Sequence, residues 1–453
     1  MIKGLKALIM DIRELFATFR EGDGKTRLSY LIFGIGPILR GETVKGIAFL
    51  ALEILFIVYM AGFGGRYLSK FATLGTIETT KQRRVTVYGD NSFLILLFGL
   101  LTIILIAAFI LVWRMNIREN RKEELLLKSG KALPGNRRFL GSLLDENFDK
   151  TLLALPCLGI FLFTVLPILF MICVAFTNYD KSHQAPTKLF TWVGLANFRE
   201  LFSFGSSGFA DTFVKVLLWT LIWALFATFL DYFLGLGVAI LINKQGIRFK
   251  KLWRTILVLT IAVPQFVSLL YVYKMFANDG LVNGYLLKWG LISSPVPFWT
   301  NPLLAKVMII VVNIWIGIPY MMLIATGLLM NIPAELYESA RIDGASSGQM
   351  FRSITLPYML FVTGPFLLTQ YTSNLNNFNV IYLLTKGQPQ SMRMAENAGQ
   401  TDLLVTWLYK MTVNDTNYKM AAVIGIMVFI VTAVISLIVY NMLPSVKDEG
   451  GFQ

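Results

Sequence analysis

Residues 304–330 read LAKVMIIVVNIWIGIPYMMLIATGLLM, and the chain then turns polar, running PAELYESARIDGASSGQMFRSITLP over 333–357. The first stretch is long enough to cross a bilayer, whose hydrocarbon core takes about 20 apolar residues in a helix. The second is charged, short and closed by a Leu-Pro pair. Seven further apolar blocks flank them, near 46–63, 92–113, 152–176, 213–242, 255–277, 357–384 and 420–441. A chain in lipid must satisfy every backbone group internally, so such blocks are helices. The reading is an all-α integral membrane protein with eight transmembrane helices.

Composition agrees. Of 453 residues, 55% are hydrophobic and 15% charged, against about a quarter charged in soluble domains. The net charge of +14 would suggest nucleic acid in a soluble protein. Here Lys and Arg gather in loops, which retention on the cytoplasmic side explains equally well. Segment 114–150 holds nine of them and 243–254 holds five. Both belong inside, which places both termini in the cytoplasm and the chain in the plasma membrane. Segment 64–91 argues the other way, with Arg66, Lys70, Lys81, Arg83 and Arg84 on the outer side.

Residues 2–20 space Ile2, Leu5, Leu8, Ile9, Ile12, Leu15, Phe16 and Phe19 as a helix does, with Lys3, Lys6, Arg13 and Arg20 between them. This is a basic amphipathic helix suited to a membrane surface, not a signal peptide. Residues 29–38 are apolar, too short to span and interrupted by Pro37, which suggests a shallow interfacial or re-entrant piece. Cys157 and Cys173 share one block, about 24 Å apart if helical, and cannot bridge there. His183 is the single histidine, so a His-based metal cluster or a Ser-His-Asp triad has little to work with. Gly24-Lys25-Thr26 imitates the end of a phosphate loop, but Phe19 stands where that loop needs glycine. A polar turn is the better reading, so any ATP must bind another subunit. The intramembrane acids Glu53 and Asp231 do not fall at matching positions of an inverted repeat, so a structural partner or an interfacial place is expected for each.

Two patterns carry chemistry. Segment 333–357 predicts a short helix, a turn at Asp343-Gly344 and a second helix stopped at Leu356-Pro357. Within the membrane, Asn313, Gly317 and Tyr320 are spaced four then three, and Gln370, Asn374 and Asn377 repeat the spacing. Each set shares one helical face. Neutral amides and hydroxyls match sugar hydroxyls, which donate and accept. Polar residues also hold membrane helices together, and spacing alone favours that plainer role.

The stretch Glu338-Ser339-Ala340-Arg341-Ile342-Asp343-Gly344-Ala345, followed by Leu356-Pro357, resembles the EAA loop of bacterial ABC importer permeases, with serine in place of the middle alanine. That resemblance implies a type I ABC importer permease fold, with Glu338, Ser339, Ala340, Asp343, Gly344 and Ala345 docking on an ATPase subunit and transmitting its closure. Asn313–Tyr320, Asn374-Leu375-Asn376-Asn377-Phe378, Tyr382–Thr385 and Thr401–Val405 resemble the larger, MalF-type permeases of maltose and maltodextrin importers. For Asn313, Ile316, Gly317, Tyr320, Asn374 and Asn377 this implies contact with the sugar. Gln370 completes the stripe, although its position is serine in the family's maltose permease.

The resemblance further implies a second, MalG-type permease, two copies of an ATP-binding subunit that hold ATP and Mg, and an extracytoplasmic sugar-binding protein. It implies no cofactor in this chain and no catalytic role. Four segments follow: an amphipathic and interfacial segment at 1–43, two extra helices and a basic loop at 44–150, a six-helix core at 151–441, and a tail at 442–453. The best-known relatives of this type carry a large outer domain after the third span, where this chain has only 177–212. Galacto-oligosaccharide or cyclodextrin remain open as cargo, as does an ion-coupled carrier acting alone. A phosphate cargo would call for Arg or Lys in the spans, and 307–384 offers only Arg341 and Arg352, both in the polar segment.

Overall fold

The computed structural model describes residues 2–82, 85–204, 208–244 and 246–443. The end of the expected tail, from 444 on, lies outside the described residues. By its contacts the chain divides into Met1–Gly194 and Leu195–Gln453.

The first unit contains helices α1 (Ile2–Glu21), α2 (Thr43–Phe71), α3 (Ser92–Lys128) and α4 (Phe148–Val174). Asn91 opens α3 by accepting from the Phe93 and Leu94 amides at 3.1 and 3.2 Å, relieving two donors that a helix start leaves bare. The helix runs beyond the expected end at 113 because its charged extension finds partners. Lys45 reaches Glu119 and Glu123 at 2.6 and 3.1 Å, and Lys128 reaches Glu124 at 2.5 Å. Short helical turns at Gly24–Leu28 and Ile35–Leu39 pack against this extension. Thr26 is buried there and donates to Glu124 at 2.9 Å, so the Gly-Lys-Thr run is a capped turn with its hydroxyl engaged. Glu53 accepts from the Phe33 amide at 2.9 Å, the structural partner expected of it. A small hairpin pairs Thr80–Gln82 with Val85–Val87.

The second unit holds α5 (Phe209–Asn243), α6 (Lys250–Ala262), α7 (Gln265–Met275), α8 (Pro302–Leu329), α9 (Ala334–Ile342), α10 (Ser347–Leu375), α11 (Phe378–Leu384), α12 (Leu404–Val413) and α13 (Tyr418–Met442). Two expectations change here. The block at 255–277 is a broken span: α6 and α7 meet at 92°. Pro264 disfavours helical geometry at the residue before it, and Val263 is extended with ψ 124°. Among the described residues seven helices are therefore long and apolar enough to cross alone, and the bent pair, taken as one span, gives an eighth. The second change is at Leu356-Pro357, which does not stop its helix. A π-helical turn over Phe351–Thr355 precedes it, and Pro357 falls in the first α-turn beyond, where its missing N–H is tolerated.

Packing in this unit centres on α5 and α8. Lipid tails are as apolar as leucine, so close van der Waals contact rather than water exclusion joins such helices, and small residues permit it. Ala224, Ala227 and Ala239 are buried on α5, and a Cβ at Gly235 would strike Met321. Two apolar layers result. One joins Trp219, Trp223, Ile309, Val312 and Leu375, with Leu269 of α7. The other joins Tyr232, Leu236, Met322 and Met359.

Candidate functional site

A polar belt separates those layers. On α5, Thr228 and Asp231 follow Ala227 and precede Tyr232, three positions apart and so on one face. From α8, Asn313 Nδ2 donates to Asp231 Oδ2 at 3.1 Å. One turn on, Gly317 lies so close that an added Cβ would collide with the Asp231 carboxylate. From α10, Asn374 Nδ2 donates to Thr228 Oγ1 at 3.0 Å, and the Trp223 indole donates to the Asn374 carbonyl at 3.1 Å. Asn377 Nδ2 donates to Asn374 Oδ1 at 3.3 Å, while Asn377 Oδ1 accepts from the Val380 amide at 3.2 Å and so caps α11. The two stripes thus converge on one ledge of α5.

Other expected residues lie elsewhere. Tyr320 is 50% exposed and lines a cavity of about 380 Å³ with Ile316 and Gly317. The opposite wall is the α6–α7 break, with Thr260, Gln265 and Ser268. Pro319 sits inside α8, so the Trp315 carbonyl loses its helical donor beside this cavity. Gln370 makes no hydrogen bond to the asparagines among the described residues, and the structure does not bring it into the belt. A larger cavity of about 680 Å³ between α5, α10 and α13 is lined by Leu225, Phe229, Leu360, Leu368 and Val439. It offers almost nothing to a polar solute.

The segment after α8 closes in a defined way. Asp343 ends α9, Ala345 N donates to Ala340 O at 2.8 Å, and Gly344 N donates to Arg341 O at 3.1 Å. These two bonds form a Schellman turn, and its left-handed position is Gly344 at φ 78°. Ser346 and Gln349 then form a capping box at the start of α10. Tyr337 Oη and Thr355 Oγ1, 2.9 Å apart, pin α9 to α10. Glu338, Ser339, Asp343 and Gly344 are exposed, and Ala340 and Ala345 half-buried. Ile342 is 86% exposed, an apolar knob on a polar turn.

Sequence reasoning gave three groups no place in the site. Thr228 carried no visible signal. Asp231 was visible as an acid in a span, but its partner lies on another helix. The third group follows α11: Asp402 is fully buried and bonded to Lys410 at 2.6 Å, the Thr406 hydroxyl at 2.9 Å and the Gly399 amide at 2.7 Å. Trp219 Nε1 donates to the Thr401 carbonyl and Leu404 N to Thr220 Oγ1, both at 3.1 Å, which ties this loop to α5.

Chemically, the belt offers uncharged amides and hydroxyls with one carboxylate and no cation, a set for a neutral polyhydroxylated solute. Comparison with known proteins gives the family. Residues 231–448 match the family described as "Binding-protein-dependent transport system inner membrane component". The maltodextrin transport system permease protein MdxF of Bacillus subtilis (strain 168) is 35% identical over 440 residues, 95% of this chain and 98% of that one. The galactooligosaccharides transport system permease protein GanP of the same organism is 35% identical over 421 residues, 92% of this chain and 97% of that one. Among solved structures, a chain of the bacterial alginate ABC transporter, in complex with alginate pentasaccharide-bound periplasmic protein, is similar with a TM-score of 0.53 and 25% identity, covering 66% of this chain and 96% of that one. With such identity running along nearly all of both chains, this protein belongs to the inner membrane components of binding-protein-dependent transport systems, in the MalF-type branch that includes the maltodextrin permeases.

Proposed function

We propose that this chain forms the sugar path of an ATP-driven importer, and that its cargo is maltose or a maltodextrin. The observation that carries the sugar reading is the belt itself: Asn313, Asn374, Asn377, Thr228 and Asp231 gathered between two apolar layers. Polar groups at membrane depth are costly and mark pathways more often than chance. Ile316, Gly317 and Tyr320 extend the site into the adjoining cavity. Gln370 stands at the edge of the reading.

The partners are a second permease, two ATP-binding subunits carrying ATP and Mg, and an extracytoplasmic binding protein that delivers the sugar. Both termini lie in the cytoplasm. The six-helix core over 151–441 carries transport. Glu338, Ser339, Ala340, Asp343, Gly344 and Ala345 meet the ATPase, with Ile342 inserted. Closure of the ATPase pair moves α9, and the Tyr337–Thr355 contact passes that movement to α10, which carries Asn374 and Asn377. Access then alternates as a shift between two populations.

A second cargo has a specific observation behind it. The galactooligosaccharide relative matches this chain at the same 35% identity as the maltodextrin relative. Uptake into vesicles holding the assembled transporter decides between them. Maltotriose is expected to enter at least about tenfold faster than a galactotriose, a discrimination within reach of a few hydrogen bonds. Faster galactotriose uptake overturns the cargo. Accumulation of any sugar by vesicles holding this chain alone overturns the importer reading and favours an ion-coupled carrier.

A further inference from the structure

We propose that Asp231 is a positioning residue that decides which end of the Asn313 amide meets the sugar, an inference that rests on the sugar-site reading above. In its carboxylate form Asp231 accepts hydrogen bonds and has none to give, so in that form only the NH2 end of an amide can face it. Asn313 Nδ2 lies 3.1 Å from Asp231 Oδ2. The planar amide then turns Oδ1 away from Asp231, and no described residue donates to that oxygen. The site thereby presents an acceptor, which a sugar hydroxyl satisfies by donating.

The carboxylate is held in place. Gly317, one turn along α8, has no room for a methyl group because the Asp231 carboxylate occupies the space. Asp231 Oδ1 is buried without a hydrogen-bond partner. A bare buried acceptor is a cost, so helix packing alone is a poor reason for an acid here. Thr228 shows the contrast. Its hydroxyl both donates and accepts, so it holds Asn374 without dictating which end of that amide it meets. As the carboxylate, Asp231 lets Asn313 stand one way only.

The test uses maltotriose analogues with a single hydroxyl replaced by fluorine, which keeps the size but cannot donate. Uptake of each analogue is divided by uptake of maltotriose, in wild type and in Asp231→Asn, with the same binding protein and assembled transporter. Discrimination made by the binding protein cancels between the two. In the variant, residue 231 carries a donor as well as an acceptor, and Asn313 is free to turn its NH2 toward the sugar. For at least one analogue the ratio is expected to rise about tenfold, the order of one hydrogen bond gained or lost. Equal ratios across the panel overturn the proposal. Asp231→Thr repeats the measurement if the asparagine variant does not accumulate. Asn313→Ala separates two kinds of failure. If it leaves uptake unchanged, the sugar-site reading falls and takes this proposal with it. If it lowers uptake while Asp231→Asn leaves every ratio unchanged, the site stands and the role of Asp231 alone is refuted.

Discussion

Among the described residues, two buried polar clusters, one around Arg40 in the first unit and one at the belt in the second, are built differently. Around Arg40 in the first unit, the guanidinium is 1% exposed and bonds to Asn120 at 2.9 Å and to Asp23 and Thr26 at 2.7 Å. Glu123 and Glu124 lie on the same helix, and Asn116 holds the Ser29 carbonyl and the Gly34 amide at 2.8 and 3.0 Å. Most groups there are charged or tie down backbone. The belt in the second unit has one carboxyl group, Asp231, and Asn313 keeps an oxygen that no described residue serves. Arg40 Nε and Glu123 Oε2 are buried without a hydrogen-bond partner, but both side chains lie in ion pairs of the same cluster, and charges that pair with one another in this way lock a fold. The belt, which leaves capacity open between apolar layers, is the place proposed for the sugar.

The largest effect that sharpens this contrast is on the first cluster. Arg40→Met leaves Asp23 without its cation and Glu123 with Lys45 alone, and losing one member of a buried ion network costs about 3–5 kcal/mol. Unfolding of the purified chain in mixed micelles is expected to show that loss, with the sugar preference of surviving transporter unchanged. A loss below about 1 kcal/mol, or an altered preference, breaks the assignment of this cluster to structure. The reverse pattern is expected for Asn377→Ala in the belt. Its capping bond to Val380 is worth about 1 kcal/mol. Maltotriose uptake is expected to fall about tenfold at equal assembly. Equal fractional loss of assembly and uptake returns Asn377 to the role of interhelical glue.

How much of this was legible beforehand follows from the range of each interaction. The stripes of α8 and α10 were readable because a helix brings residues three and four apart together. The turn at Gly344 was readable because a left-handed position in a tight turn favours glycine. The convergence of both stripes on Thr228 and Asp231 was not, since Asn313 meets Asp231 from 82 positions away and no local period encodes that. Arg40 was hidden for a similar reason. Its partners come from α3 and from the capped turn at Asp23, and a loop arginine reads as solvated until those are in place. Pro264 and Pro357 show the limit of punctuation: both break ideal geometry, yet one bends its span by 92° and the other follows a π-turn that absorbs it.

The smallest expected effect separates glue from site within a single helix pair. Thr228 and Thr363 both bond between α5 and α10: Thr228 accepts from Asn374 at 3.0 Å, and Thr363 donates to the Tyr232 hydroxyl at 3.0 Å. Both threonines are 2% exposed, and valine matches either in shape. Interhelical bonds of this kind average about 0.6 kcal/mol, so each Thr→Val change is expected to lower stability by about that much. The two should part in transport. Thr363 belongs to the apolar layer, and its loss leaves the belt untouched. Thr228→Val frees the Asn374 amide, which then reorients, and the uptake ratio between maltose and longer maltodextrins is expected to shift about two- to threefold. A matching shift in Thr363→Val would mean that the helix contact as a whole sets the preference, and the distinction between the belt and the packing around it would be lost.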